Sequence, residues 1–206
     1  MTAPARTAPL TADDVVEAAL RIVETDGPEA LTMRRLADEI GAAVTAIYHH
    51  VGNRDALLDL LVERVLLDMG SVRGSGRTPK ARIASLTRAW RAQLLAHPHV
   101  IGLAHERAKI PQVFQPIQAT LARELAALGL HGEDAALAVR VLQFHVVSSV
   151  VLERTASRGP TQDVTDPTAW SETPDDPELV ASLARPLDHT TVFDYTLDAL
   201  LARLPG

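Results

Sequence analysis

Between Thr11 and Gly52 three apolar stretches of helical period are each fenced by a cap and a stop, which leaves room only for short helices packed on one another. Thr11 is a natural N-cap, with Asp13 and Asp14 in the first turn, where the helix dipole favours negative charge. Val16, Ala19, Leu20 and Val23 follow as one stripe, and Gly27-Pro28 ends it. Thr32 caps a second helix with Leu36, Ala37 and Ile40 turned inward, and Gly41 stops it. After Gly41-Ala42-Ala43, a third helix covers about Val44 to His50, with Ile47 and Val51 for the core. Gly52-Asn53 breaks the pattern, and a longer fourth helix runs from about Arg54 to Met69.

Two short helices joined by a tight glycine-bearing turn and supported by a preceding helix have the helix-turn-helix layout. In that layout the second helix of the pair enters the major groove of DNA and offers its N-terminal residues to base edges. Here those are Val44, Thr45 and Ala46: a hydroxyl that can hydrogen-bond a base or phosphate, flanked by methyl groups suited to thymine. Arg34 on the preceding helix is placed for a guanine edge or a phosphate. Tyr48, His50 and Arg54 suit phosphate oxygens, Arg54 also standing where a helix begins. His49 is either a sequence-specific contact or a solvated neighbour. Read alone, the Tyr-His-His cluster equally fits the surface of a small helical bundle.

Charge tests the DNA reading. The chain carries a net −6, whereas nucleic-acid binders are usually basic over the contact face. The acids of the first 70 residues fall mostly on the first and fourth helices, however. Between Thr32 and Arg54 stand three arginines (Arg34, Arg35, Arg54), two acids (Asp38, Glu39) and two histidines. Such a mildly positive face predicts few phosphate ion pairs and a shallow salt dependence.

Beyond Gly70–Pro79, a polar glycine-rich stretch and the best boundary, the chain turns alanine- and leucine-rich. Helical patterns cover about Pro79 to Ala96, Val100 to Ala108, Pro111 to Leu128 and Glu133 to Arg158, with a short one at Pro177–Ala184 and a last at Thr191–Leu204. Residues 159–177, with Pro160, Pro167 and Pro174, read as a loop, and residues 1–10 as a disordered arm. No strand-like alternation persists, and a core with 47% hydrophobic but only 3% aromatic residues must be built from Leu, Val and Ala. The expected fold is all-α: an N-terminal helix-turn-helix domain (11–70) and a C-terminal helical domain (71–206). The absence of cysteine excludes disulfides and suits the cytoplasm. No signal-peptide core opens the chain and no stretch reads as a membrane span.

His97, His99, His105, Gln143, His145, Ser148 and Ser149 interrupt otherwise apolar helices. They are either polar groups that orient a ligand in an apolar pocket or local caps and side-chain-to-backbone bonds. His97 and His99, two apart around a proline, do not form a recognised metal pattern, and no cofactor or metal is implied. No G-x-S-x-G, phosphate-cradling glycine loop or H-E-x-x-H is present, and Glu106, Glu124 and Glu153 have no paired nucleophile, which argues against an enzyme.

The run LTMRRLADEIGAAVTAIYHHVGNRDALLDLL, Leu31 to Leu61, resembles the DNA-binding domain of TetR-family transcriptional repressors. It matches that family's "R-x-L-A-x-x-x-G", "L/I-Y-x-H-F/V" and "N-K/R-x-x-L-L" segments without a gap. The resemblance implies Arg34 in base or phosphate contact, Thr45 in recognition, and Tyr48, His50 and Arg54 on the phosphate backbone. His49 falls where a variable, often aromatic residue stands, and Arg54 where lysine is common. "LLAHPHVIGLAHER", "VVSSVVLE", the Pro-rich acidic loop and "FDYTLDALLARL" resemble the ligand-binding domain of the tetracycline-repressor subgroup. This implies an effector pocket in each subunit and a homodimer sealed by the helix near 133–158 and the last helix. His105 and Glu153 fall near positions that help hold the drug-bound magnesium in that subgroup. Gly70 stands where a drug-gripping histidine is expected and Glu124 where a glutamine is, which sets the effector apart from tetracycline. With Gln143, His145 and Ser149, these are the candidate effector contacts. The function implied is a ligand-responsive repressor that binds double-stranded operator DNA. The alternatives are a helical small-molecule-binding protein without DNA binding, and an effector-independent DNA-binding regulator or activator.

Overall fold

The computed structural model describes residues 9–158, 176–183 and 185–205, so most of the expected arm and of the expected Pro-rich loop lies outside the described residues, while Leu10 of the arm packs against the core. Among the described residues the chain is all helical, without a strand.

Four helices open it: α1 (Ala12–Asp26), α2 (Met33–Ile40), α3 (Val44–Val51) and α4 (Arg54–Ser71), with a single 3-10 turn at Pro28–Ala30. Their limits follow from local capping. Thr11 Oγ1 accepts from the Asp14 N–H at 3.2 Å while the Thr11 N–H donates to the Asp14 carboxylate at 3.0 Å, a reciprocal capping box. Thr32 caps α2 through the Arg35 N–H (3.0 Å) and Asn53 caps α4 through the Ala56 N–H (2.9 Å). Gly41 ends α2 with φ 71° and ψ 38°, a left-handed conformation that costs glycine nothing.

α1 buries Val15, Val16, Ala18, Ala19, Ile22 and Val23, a wider surface than the expected stripe, while Leu20 lies at the edge. The reason is its position: it packs against α2, α3, α4 and also α6. α4 is the shared wall of the molecule. Its buried Leu57, Leu58, Leu61, Val62, Val65 and Met69 face α1 and α3 at one end, and α6 and α7 along the rest.

Six helices follow: α5 (Pro79–Ala96), α6 (Pro98–Glu106), α7 (Ile110–Ala126), α8 (Gly132–Arg158), α9 (Pro177–Leu183) and α10 (His189–Ala202). The glycine-rich connection into α5 is packed, not loose. Ser85 Oγ accepts from the Ser75 N–H (2.6 Å) and donates to its carbonyl (2.9 Å). Gly74 lies so close to α5 that a Cβ there would stand 2.4 Å from the Arg82 carbonyl oxygen. α5, with Ile83, Leu86 and Trp90 fully buried, is the axis around which α6, α7, α8 and α10 pack.

α6 starts and ends two residues earlier than its sequence pattern predicts. Its first N–H groups are satisfied from across the molecule: the Glu24 carboxylate of α1 accepts from His99 N (3.1 Å) and Val100 N (3.2 Å). Its end is set by Ala108, which takes φ 55° while Lys109 N donates to the Ala104 carbonyl at 2.7 Å.

α8 corrects the expectation that no stretch reads as a membrane span, because Gly132–Ser157 is long and apolar enough for one by length and composition. Two stripes explain this. Val139, Leu142, Val146 and Val150 face the protein's own core, while Leu137, Phe144, Val151 and Leu152 are exposed. A helix apolar on two sides has the length and composition of a span although one of its stripes already packs against the protein's own core.

Candidate nucleic-acid interface and effector site

α2 and α3 form the helix-turn-helix, with α1 and α4 behind them. Ile47 and Val51 are buried and fix the roll of α3, so Val44, Thr45, Tyr48 and His49 face solvent, with Ala46 and His50 half-buried. Tyr48 is 49% exposed, enough for its hydroxyl and one ring face to meet a partner. The His49 and His50 rings stand edge to face with centroids 5.8 Å apart. No side chain caps the N-terminus of α3, where Ala43 precedes the helix, so its first N–H groups remain available to an anion.

The three arginines of this face are not equivalent. Arg34 is exposed and, among the described residues, has no intramolecular hydrogen bond or ion pair. Arg35 is paired with Asp26 at the end of α1. Arg54 donates from Nε to the Leu31 carbonyl (2.8 Å) and from Nη2 to the Pro28 carbonyl (2.7 Å), with Glu29 at 3.9 Å. It thus holds the 28–31 turn against α4, a role invisible in the sequence. Arg54→Ala is therefore expected to lower unfolding stability by about 1–2 kcal/mol, as two hydrogen bonds from a charged, partly exposed donor are lost. Chemical denaturation checks this, since an arginine serving phosphate alone would leave stability unchanged.

The candidate effector residues fall into separate groups. Gln143 on α8 bonds Gln118 on α7 (2.6 Å) beside a groove of ≈580 Å³. Ser149 and Glu153 converge on Arg91 of α5: Arg91 Nε lies 3.2 Å from Ser149 Oγ, and its Nη2 pairs with Glu153. The Arg91 guanidinium also covers the Phe193 ring of α10 at 4.9 Å. On that ring His145 stacks at 4.4 Å, with Nε2 3.1 Å from the Phe193 carbonyl, and burial pushes the His145 pKa down. Glu124 stands apart, tied to Arg82 at 2.8 Å, and His105 is exposed on α6. The structure therefore does not bring the six together. It adds Arg91, which nothing in the local pattern singles out.

A second feature missed in the sequence joins α4 to the α6–α7 turn. Asp55, Asp59 and Glu63 recur every four residues on α4 and meet Arg107 and Lys109. Asp59 Oδ1 lies 2.9 Å from both Lys109 Nζ and Arg107 Nη1. The Lys109 hydrogen bond holds the Asp59 carboxyl below its usual range, against a smaller opposing effect of desolvation, with Arg107 adding to the lowering. The i, i+4, i+8 acids were visible, but their basic partners lie some 50 residues away.

Known proteins are similar to this chain in sequence and in fold. The model of the family described as "Bacterial regulatory proteins, tetR family" matches residues 15–61. An HTH-type transcriptional regulator of Saccharopolyspora erythraea is 33% identical over 150 residues, covering 72% of this chain and 63% of that protein's length. The class A tetracycline repressor of Escherichia coli is 30% identical over 148 residues, covering 70% of this chain and 68% of the repressor. Among solved structures, ActR from Streptomyces coelicolor in complex with actinorhodin superposes with a TM-score of 0.61 at 30% identity, covering 95% and 96% of the two chains. Another Streptomyces coelicolor TetR protein superposes with a TM-score of 0.71 at 23% identity and supports the fold alone. This chain belongs to the TetR family of bacterial transcriptional regulators.

Proposed function

We propose that the protein is a homodimeric repressor that binds double-stranded operator DNA through α3 and is released by a small-molecule effector bound among α5–α8. The observation that carries this reading is the exposed face of α3, where Thr45 and Tyr48 project from a helix rolled by the buried Ile47 and Val51. Thr45, with Val44 and Ala46, reads base edges; Tyr48, His50 and Arg34 hold phosphate; His49 stands beside them. Because Arg35 and Arg54 are engaged within the protein, few phosphate ion pairs form and affinity falls gently with salt.

The exposed apolar stripe of α8, continued by Val192 and Tyr195 on α10, is covered by a second copy. Two-fold pairing then sets two copies of α3 about one helical turn of DNA apart. Effector binding shifts the α6–α7 turn, and the ion pairs from Arg107 and Lys109 to Asp55, Asp59 and Glu63 carry that shift to α4 and so to the spacing of the reading heads. ActR in complex with actinorhodin supports a small-molecule effector for this chain too.

The test begins with selection of binding sites from random duplexes by the wild-type protein. A two-fold symmetric site is expected. On that site and on random DNA, Tyr48→Phe with His50→Ala weakens both alike, since phosphate contacts carry no sequence information. Thr45→Ala weakens the selected site by about 5- to 100-fold more than random DNA. Equal loss on both would remove Thr45 as a base reader, and failure to enrich any site would remove the regulator reading.

A further inference from the structure

Side chains from three helices meet at the seam between α8 and α10. The half-buried His145 ring of α8 stacks on the Phe193 ring of α10, with centroids 4.4 Å apart and planes 15° from parallel. The Arg91 guanidinium of α5 lies 4.9 Å from the centre of the same Phe193 ring. His145 and His189, the latter at the start of α10, line one cavity of ≈220 Å³. Leu152 and Val192 line it too, and both belong to the exposed apolar stripe that the proposed second copy covers. Pairing of two copies therefore closes this cavity and removes water from His145.

The proton on neutral His145 has a defined place. Nε2 lies 3.1 Å from the Phe193 carbonyl oxygen, which can only accept, so Nε2 carries the hydrogen and Nδ1 is left to take up a second. No hydrogen bond among the described residues involves Nδ1. Burial is the main cause that lowers the pKa of the ring; the Phe193 carbonyl opposes it, Arg91 adds to it, and Asp194 opposes it. The carboxylates around the seam are already engaged. Glu153 of α8 pairs with Arg91, while Asp194 and Asp198 of α10 face Arg88 of α5 at 2.7 and 3.8 Å. On the other flank of α8, α7 contributes a neutral contact, Gln118 to Gln143. His189 differs, because the Asp188 carboxylate that caps α10 stands beside it and would offset a charge there.

We infer that this seam is an acid-operated latch on the homodimer, opened when His145 takes up its second proton. The inference rests on the two-fold reading above and deepens it by naming what regulates the pairing. A neutral imidazole can be covered at little cost. A charged one would be stripped of water and held near Arg91 with no unspent carboxylate, so protonation and pairing oppose each other. Because the folded-state pKa of His145 is lowered, the stability that its neutral form contributes is present above the ordinary value of 6.5. It is lost as pH falls from there through the folded value. Closure of the cavity dries the ring further and extends the same trend to the dimer. Each dimer holds two copies of His145, so its dissociation constant rises by up to about 100-fold per pH unit once protons bind.

The test is sedimentation equilibrium of the full chain at about pH 7.5 and about pH 5, which brackets histidine titration. DNA is left out, because protonated His49 and His50 would favour phosphate and mask the effect. The wild-type dissociation constant is expected to rise about tenfold or more at the acidic value, with helix content by circular dichroism unchanged. His145→Gln keeps a donor for the Phe193 carbonyl but does not titrate, and His145→Phe keeps the ring stack. Each is expected to stay dimeric and to shift by less than about twofold between the two pH values. His189→Gln retains the wild-type response. A wild-type dimer equally tight at both pH values overturns the latch alone. So does a His145→Gln or His145→Phe dimer that loosens as the wild type does, or loss of helical signal in place of dissociation. A wild type that is monomeric at the higher pH overturns the two-fold reading and the latch with it.

Discussion

Phe144→Asp combined with Leu152→Asp is expected to yield a folded monomer whose operator affinity is about 100-fold to 10,000-fold below that of the wild type. Both side chains are exposed in the protomer, 76% and 62%, so neither substitution disturbs the protomer's own core. Both also lie in the stripe that runs through Leu137 and Val151 on α8 and meets Val192 and Tyr195 on α10. Burying one such side chain stabilises an interface by about 1.5–3 kcal/mol, whereas burying an unpaired carboxylate is strongly unfavourable. With pairing lost, each reading head binds alone and forfeits the effective concentration that linkage provides, which accounts for the size of the fall. Light scattering after size-exclusion chromatography reads the oligomer, and fluorescence anisotropy on the selected site reads the affinity. A double variant that stays dimeric would place the interface elsewhere.

On the proposed coupling, Asp59→Asn is expected to leave effector-free operator affinity near the wild-type value and to remove the effector's ability to release DNA. The coupling it interrupts is worth about 1–3 kcal/mol, a 5- to 150-fold loss of response. Asp59 sits on α4, which also packs against α1 and α3, and its carboxylate is held by Lys109 and Arg107 of the α6–α7 turn. Asparagine keeps the shape and gives up the charge. Since the folded-state pKa of Asp59 is lowered, its contribution to stability is present above the ordinary value of 3.8 and is lost as pH falls through the folded value. The coupling therefore persists throughout the neutral range. The reversed pair, Asp59→Lys with Lys109→Asp, restores the response if the attraction itself is the link. A single Asp59→Asn variant with an undiminished response would exclude this route.

What was legible in the sequence was local. Thr11 and Thr32 cap helices through N–H groups three residues away, and Gly41 stops one through its own φ, so the helix-turn-helix could be read without tertiary knowledge. Ile47 and Val51 likewise fix which residues of α3 face outward. Interactions between distant segments were not legible. Glu24 caps α6 from some 75 residues away, and so moves that helix's start from Val100 to Pro98. Arg54 matches a family position suited to phosphate, yet its guanidinium is spent on the carbonyls of Leu31 and Pro28. In the effector region, periodicity placed Gln143, His145, Ser149 and Glu153 on one helix but could not name their partners. Arg91, Phe193 and Gln118 come from three other helices. His105 and Glu124 matched by register alone and stand elsewhere, one exposed and one bound to Arg82. The hydropathy of α8 misleads for a related reason, because its composition does not reveal that one apolar stripe already faces α5, α7 and α10.

If two copies of this chain read DNA together, a mobility shift with DNA flanking the protein's own gene, run at two salt concentrations, gives a discrete complex containing two protomers at low salt. The complex survives excess random duplex and loses affinity only gently at the higher salt, since among the described residues Arg34 is the arginine of this face left free for phosphate. No shift at low salt, or a smear that random duplex competes away equally, would contradict it and leave a helical small-molecule-binding protein in its place.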